Sequence, residues 1–218
     1  MSSINPYYTM NYSQPEEYRF SHDSVFLARR VFELTNPDSV ASLRGLDLCS
    51  GCGIIGMDYL FHCRKEFATV PKTFDFMEVQ DIYRAHFAEN IQRLGPVTTQ
   101  LNFVNQNYNI LQRPEFSQKY DLILCNPPYF FPDKGTLSPS EFKNRCRFFI
   151  DSDFKQLLLG VVASLAPQGQ AYLLLRDLAE HGWHSVEEAG SILQGKAGIE
   201  VLGDIRGTHF VRLSHLNP

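Results

Sequence analysis

Leu46-Asp47-Leu48-Cys49-Ser50-Gly51-Cys52-Gly53-Ile54-Ile55-Gly56 is the stretch on which the fold turns. It reads as a short apolar strand, a glycine turn and the start of a helix. Glycine lets the backbone come close to a ligand and adopt φ > 0. The helix N-terminus that follows presents unpaired N–H groups. Downstream, Thr73-Phe74-Asp75-Phe76-Met77-Glu78-Val79 is a second strand with an acidic residue near its end. That spacing puts a carboxylate against ribose hydroxyls in a nucleotide-binding fold. The loop and Glu78 together predict a nucleoside site.

A second anchor lies further on, where the apolar run Tyr120-Asp121-Leu122-Ile123-Leu124-Cys125 passes directly into Asn126-Pro127-Pro128-Tyr129. An exocyclic amine on an aromatic base, or a glutamine amide, has a delocalised lone pair and is a poor nucleophile. If the Asn126 side-chain oxygen and the Pro127 carbonyl accept its two hydrogens, the nitrogen moves toward a tetrahedral shape. Its lone pair can then meet an electrophilic methyl group. Pro127 and Pro128 fix φ and add no competing N–H, and Tyr129 offers a ring face for stacking. The bland alternative is an Asn-Pro turn closing a strand; the nucleoside loop upstream weighs against it.

The loop also separates two cofactors. A dinucleotide site uses G-x-G-x-x-G with the pyrophosphate on the helix end. Here Asp47 precedes the turn, as in the methyltransferase pattern acidic-x-G-x-G-x-G, and Gly51 and Gly53 supply its later glycines. S-adenosylmethionine has no phosphate, and the chain has no Gly-Lys-Ser/Thr phosphate loop, so S-adenosylmethionine is favoured over NAD. Cys49 stands where the pattern has its first glycine, at some cost in backbone freedom.

Around these anchors the chain alternates strand and helix. Val25 to Leu34 predicts an amphipathic helix capped by Asp23 or Ser24. Asp81 to Leu94 predicts another, with Ile82, Phe87, Ile91 and Leu94 on its apolar face, and Gly95-Pro96 stops it. Gln100 to Val104 is a third strand, followed by Asn105-Gln106-Asn107-Tyr108. Asn107 could bond the cofactor's adenine through its amide oxygen, with Tyr108 against the base; a simple Asn-rich turn is the other reading. The stretch from Tyr129 to Ile150 predicts a long substrate loop. A helix is predicted over 151–166, ended by Pro167-Gln168-Gly169, then a fifth strand over 171–175. Leu178 to Leu193 predicts a helix broken near Gly190, and 199–202 with 209–213 a hairpin-like pair closing the sheet. The expected architecture is α/β and Rossmann-like: a mainly parallel seven-stranded sheet with helices on both faces. One domain is expected over 18–218, after a tail or small irregular element over 1–17.

Composition sets bounds. At 218 residues the chain can bury one sizeable core. No apolar run reaches the roughly twenty residues of a membrane span, and no signal-peptide pattern is present. Five cysteines suggest free thiols and a cytoplasmic setting. Cys49-x-x-Cys52 lacks a second pair at ligand spacing, so no metal is assigned. The seven histidines likewise lack ligand spacing beside carboxylates. The net charge of −4 speaks against a nucleic-acid substrate. A basic cluster nevertheless follows the catalytic turn: Lys134, Lys143, Arg145 and Arg147, with Phe130 beside them as a candidate substrate contact. Such a patch can grip phosphates locally or be ordinary solvation.

With Tyr18-Arg19-Phe20-Ser21-His22-Asp23-Ser24, Asp47 to Gly53, and Asn126 to Tyr129, the chain resembles the bacterial class I amino-methyltransferases related to the tRNA1(Val) adenine-N6 methyltransferase. The resemblance implies S-adenosylmethionine as cofactor and adenine N6 in tRNA or other RNA as target, with no membrane partner. It places Asp23 near the cofactor's methionine end, Asp47 and Gly51 on the cofactor loop, Glu78 on the ribose, and Asn126 and Tyr129 at the reacting amine. The family's acidic adenine contact falls on Asn107, a departure. A glutamine-amide N5-methyltransferase and a non-catalytic module that binds S-adenosylmethionine or RNA are the alternatives.

Overall fold

The apolar runs pair into one sheet. In the computed structural model, which describes residues 9–216, β1 (Arg44–Leu48), β2 (Thr73–Met77), β3 (Gln100–Val104), β4 (Tyr120–Cys125) and β5 (Leu165–Leu175) run parallel. β6 (Ala197–Asp204) and β7 (His209–His215) form an antiparallel hairpin, with β7 inserted against β5, and the order is β3-β2-β1-β4-β5-β7-β6. The sheet is therefore mixed: mostly parallel, with the last hairpin antiparallel.

Strand alternation sends successive side chains to opposite faces, and both faces are covered. Leu122 and Leu124 point into one core with Phe74, Phe76, Val25, Ile55 and Phe87. That core packs α1 (His22–Leu34), α2 (Ile54–His62) and α3 (Tyr83–Leu94) on the sheet. Ile123 and Cys125 point into the other, with Leu46, Leu48, Leu157, Val161 and Leu193. There α5 (Phe154–Ser164) and α6 (Ser185–Leu193) cover the sheet. Arg44 ties the starts of β1 and β4 through two guanidinium bonds of 2.8 Å to Asp121. No helix among the described residues is long and apolar enough to cross a membrane.

Several predicted boundaries move. α1 begins at His22 with Ser21 as its cap residue, and no side chain caps it. Asp23 and Ser24 therefore lie in the first turn and face other partners. Ile82 falls just before α3 and is 52% exposed rather than on its apolar face. α5 ends at Ser164, not Ala166, because Leu165 already pairs with Tyr120; Pro167 and Gly169 lie within β5, where the register shifts. The break before α6 is at Gly182 (φ +63), not Gly190, which sits inside the helix. Asp177 fixes that start by accepting the backbone N–H and the hydroxyl of Ser185. The expected long loop after Tyr129 contains α4 (Glu141–Arg147), capped by the Ser140 hydroxyl.

The first eight residues of the expected N-terminal element lie outside the described residues. From Thr9 to Ser21 the chain is irregular but docked. Tyr12 is buried, and the Asn90 amide clamps Ser13 through bonds of 2.6 and 2.9 Å while also reaching the Cys52 carbonyl.

Candidate active site

Burial decides which loop residues can meet a ligand. Asp47 is fully buried behind the turn, where one carboxylate oxygen accepts the Gly56 N–H at 2.8 Å and pins the start of α2. Burial pushes its carboxyl well above the ordinary range, against the opposing pull of that N–H. Gly53 is also behind the turn, with φ +85 and side chains packed where a Cβ would stand, Phe87 at 2.9 Å and Met57 at 3.0 Å. Neither lines the cavity; both support the turn from behind. Gly53→Ala is expected to destabilise by about 2 kcal/mol or more, from left-handed strain and overpacking together; a denaturation midpoint checks it.

Cys49, Ser50, Gly51 and Cys52 do face the cavity. Cys49 has φ +57, a left-handed conformation that favours glycine, which accounts for the family pattern placing glycine there. Burial pushes the Cys52 thiol up to about 12, so it behaves as a small apolar residue. The described residues hold no group of three or more His, Cys, Asp or Glu that could bind a metal.

Opposite the loop, Glu78 is 7% exposed; its two oxygens accept the N–H groups of Gly51 and Gln80, each at 2.9 Å. A carboxylate offers about four acceptor sites, so capacity is left for ribose hydroxyls. Tyr108 forms a buried wall. Asn107 also lines the cavity, but its amide oxygen accepts the Asn109 N–H at 2.9 Å and its NH2 donates to the Asp151 carbonyl at 2.8 Å. The amide oxygen expected on adenine thus also caps a turn.

The catalytic turn closes the far end. Tyr129 donates its hydroxyl to the Asn126 amide oxygen, and the Asn126 NH2 donates to the Ser24 hydroxyl at 3.0 Å. Pro127, Pro128 and Phe130 join them in the wall. Asp23 lines the same end, accepting from the Ser21 hydroxyl at 3.1 Å with Arg206 at 3.5 Å.

The basic cluster divides. Arg145 is held by Asp151 in a bidentate pair, the shortest contact 2.8 Å. Arg147 lies over Phe130 and Phe148, at 5.2 and 5.8 Å from their ring centroids, and faces the cavity. Lys134 lies 5.4 Å from the Phe131 ring centroid, away from the cavity wall, as does Lys143 on α4.

Sequence reasoning missed the roof. Tyr18 and Phe20 from the N-terminal strap cover one side, and α4 covers the other through Cys146, whose sulfur lies 3.3 Å from both Gln80 and Tyr83. The Ser140 hydroxyl joins the two by donating to Glu17 at 2.8 Å. Arg176, just past β5, was missed too. None of these contacts has a sequence signal, since each joins residues far apart in the chain.

The enclosed space is about 450 Å³, within the usual range for small-molecule sites. The buried Ser50 hydroxyl in its wall has no hydrogen-bond partner. An acceptor carboxylate at one end, an orphan hydroxyl, an aromatic wall and a second carboxylate at the far end fit a nucleoside carrying an amino-acid tail.

No protein-family model matches the chain. It is 28% identical over 129 residues to the tRNA1(Val) (adenine(37)-N6)-methyltransferase of Bacteroides fragilis, covering 59% of this chain and 50% of that protein. The enzyme of the same name from Shewanella baltica is 28% identical over 131 residues, covering 60% and 51%. The chain thus spans about half the length of the curated relatives it matches. Among solved structures, a Thermus thermophilus 16S rRNA N2 methyltransferase in complex with AdoMet and guanosine superposes with a TM-score of 0.63 at 12% identity, over 92% of this chain and 45% of that one. TrmN from the same organism gives 0.56 at 19%, over 88% and 49%. The fold is that of the class I methyltransferases. In this class I methyltransferase fold the cavity opens at the carboxyl ends of β1 and β4, where the strand order reverses, the place where open α/β sheets bind ligands.

Proposed function

We propose that the protein is an S-adenosylmethionine-dependent N-methyltransferase acting on the exocyclic N6 of adenine in RNA, with tRNA as the substrate. The observation that carries this is the Asn126–Tyr129 turn standing in the wall of a nucleoside-sized cavity whose opposite end holds Glu78. The names of the curated relatives support the substrate. A tRNA substrate and five unpaired cysteines support a cytoplasmic setting.

Glu78 would hold the ribose, Asp23 the methionine ammonium, and Tyr108 the adenine face. When bound, S-adenosylmethionine supplies an electrophilic methyl group. The Asn126 oxygen and the Pro127 carbonyl accept the hydrogens of the target amine and orient its lone pair, while the Tyr129 ring stacks the base. The Asn126 oxygen can accept from both Tyr129 and the substrate. The amine's surplus proton leaves to water, so no strong base is needed. The target base must first leave its stack, and Arg147 and Phe130 in the cavity wall suit the backbone and bases flanking it.

Acid should weaken cofactor binding. Burial raises the Glu78 carboxyl above its ordinary 4.5, with the Gln80 and Gly51 N–H groups opposing. Protonation converts an acceptor oxygen into a donor, so affinity is expected to fall on acidification, beginning above pH 4.5. A raised carboxyl pKa makes the ionised form the costly one in the fold, so through this group acid does not destabilise the empty protein. Calorimetric titrations at several pH values check this, and Glu78→Gln is expected to lose the dependence.

Purified protein incubated with radiolabelled S-adenosylmethionine and RNA, DNA and protein from cells lacking it tests the assignment. Label is expected in N6-methyladenosine of tRNA. Label in protein would transfer the assignment to glutamine amides, and label nowhere would overturn the enzymatic reading.

A further inference from the structure

The proposed chemistry needs the Asn126 side chain one way round. An asparagine amide has a nearly isosteric reverse orientation, in which the NH2 group takes the place of the oxygen. Turned that way, Asn126 would present donors to a target amine that is itself a donor, and the amine could not be oriented. Pro127 and Pro128 constrain the backbone but leave this rotation free.

Two contacts hold the amide in place. Tyr129 donates to the oxygen, and the NH2 donates to the Ser24 hydroxyl at 3.0 Å. They are not equivalent. Tyr129 is the group expected to meet the base, so its hydroxyl is disturbed whenever substrate enters. Ser24 is 4% exposed, in the first turn of α1, and lines the cavity. α1 is locked to α2 by the fully buried Val25, Leu27 and Ala28. The Ser24 hydroxyl is therefore a fixed partner that accepts from the Asn126 NH2, 102 residues away in sequence.

We propose that Ser24 is a positioning residue: it holds the Asn126 amide so that the carbonyl oxygen faces the reacting nitrogen throughout turnover. The inference rests on the proposed role of Asn126. It assigns Ser24 a place in the rate of transfer and none in cofactor affinity.

Ser24→Ala removes one atom from the buried hydroxymethyl and leaves the helix intact. With radiolabelled S-adenosylmethionine and the cellular tRNA fraction, kcat is expected to fall about 10- to 100-fold, as small misplacements do, while cofactor Kd stays unchanged. Ser24→Thr keeps the hydroxyl and is expected to recover most of the rate. In single-turnover assays Ser24→Ala/Asn126→Ala should lose no more than Asn126→Ala alone, because Ser24 acts only through Asn126. An unchanged kcat in Ser24→Ala, or a further loss in the double variant, would overturn the proposal. A readout independent of transfer accompanies these: the Asn126 side-chain NH2 signals in the nitrogen-15 spectrum, assigned by their absence in Asn126→Ala. Their protection from exchange is expected to be lost in Ser24→Ala. If the wild type labels no fraction, the functional reading fails, and this signal alone decides: retained protection overturns the role of Ser24, and lost protection supports it.

Discussion

Asn126→Ala is expected to lower methyl transfer by about 100- to 1000-fold, the scale seen when a single preorganised polar contact to a reacting group is removed. Cofactor Kd is expected to stay within about threefold, because Glu78, the proposed ribose carboxylate, and the loop lie at the other end of the cavity. The substitution leaves the Ser24 and Tyr129 hydroxyls without their amide partner, at about 1 kcal/mol each, so the variant stays folded. Initial rates with labelled cofactor, alongside calorimetric binding, measure both quantities. A matching collapse of cofactor binding would make Asn126 part of the cavity's architecture and not of its chemistry.

Glu78→Ala is expected to do the reverse and more. It removes the proposed acceptor for the ribose and orphans the Gly51 and Gln80 N–H groups. Losing charged hydrogen bonds to the ribose is worth about 100-fold in Kd. Leaving the buried Gln80 N–H unpaired costs about 1–3 kcal/mol, and the part-buried Gly51 N–H less. Both weaker binding and a lower melting temperature are therefore expected. Glu78→Gln keeps one acceptor and separates the two effects: its stability should recover more than its affinity. A Glu78→Ala protein binding S-adenosylmethionine as the wild type does would remove the nucleoside reading of this cavity.

The parts of this site legible in the sequence are those built by short segments. Asp47 to Gly56 announced the turn because glycine at Gly51 and Gly53 is needed by local φ, +53 and +85. Tyr120 to Tyr129 announced a buried strand ending in two rigid acceptors. What a residue does inside such a segment was less legible. Asp47 matched a cofactor pattern, yet its carboxylate faces α2, because alternation along β1 sends it to the opposite face from Leu46 and Leu48. Asn107 stands in the cavity wall, but its amide also serves the backbone that follows, as an asparagine ahead of a turn does. Arg145 lines the cavity, as a phosphate grip would, yet Asp151, six residues on, also holds its guanidinium in an ion pair. Ser24 passed for a helix cap because serine before an apolar helix usually is one; only the sheet brings it to Asn126.

The hairpin at the end of the sheet bears on when this site comes into being. Its tip carries Arg206, which pairs with Asp23, and the buried Thr208, which stands beside the Tyr129 hydroxyl. A chain emerging from the ribosome makes β1, the glycine turn and Glu78 early, yet lacks these last supports until β6 and the turn after it have been synthesised. Contacts spanning so much of the sequence are slow to close. The catalytic end of the cavity is therefore finished last: a shortened or half-made chain carries every motif that identifies the site and still lacks the supports behind Asp23 and Tyr129.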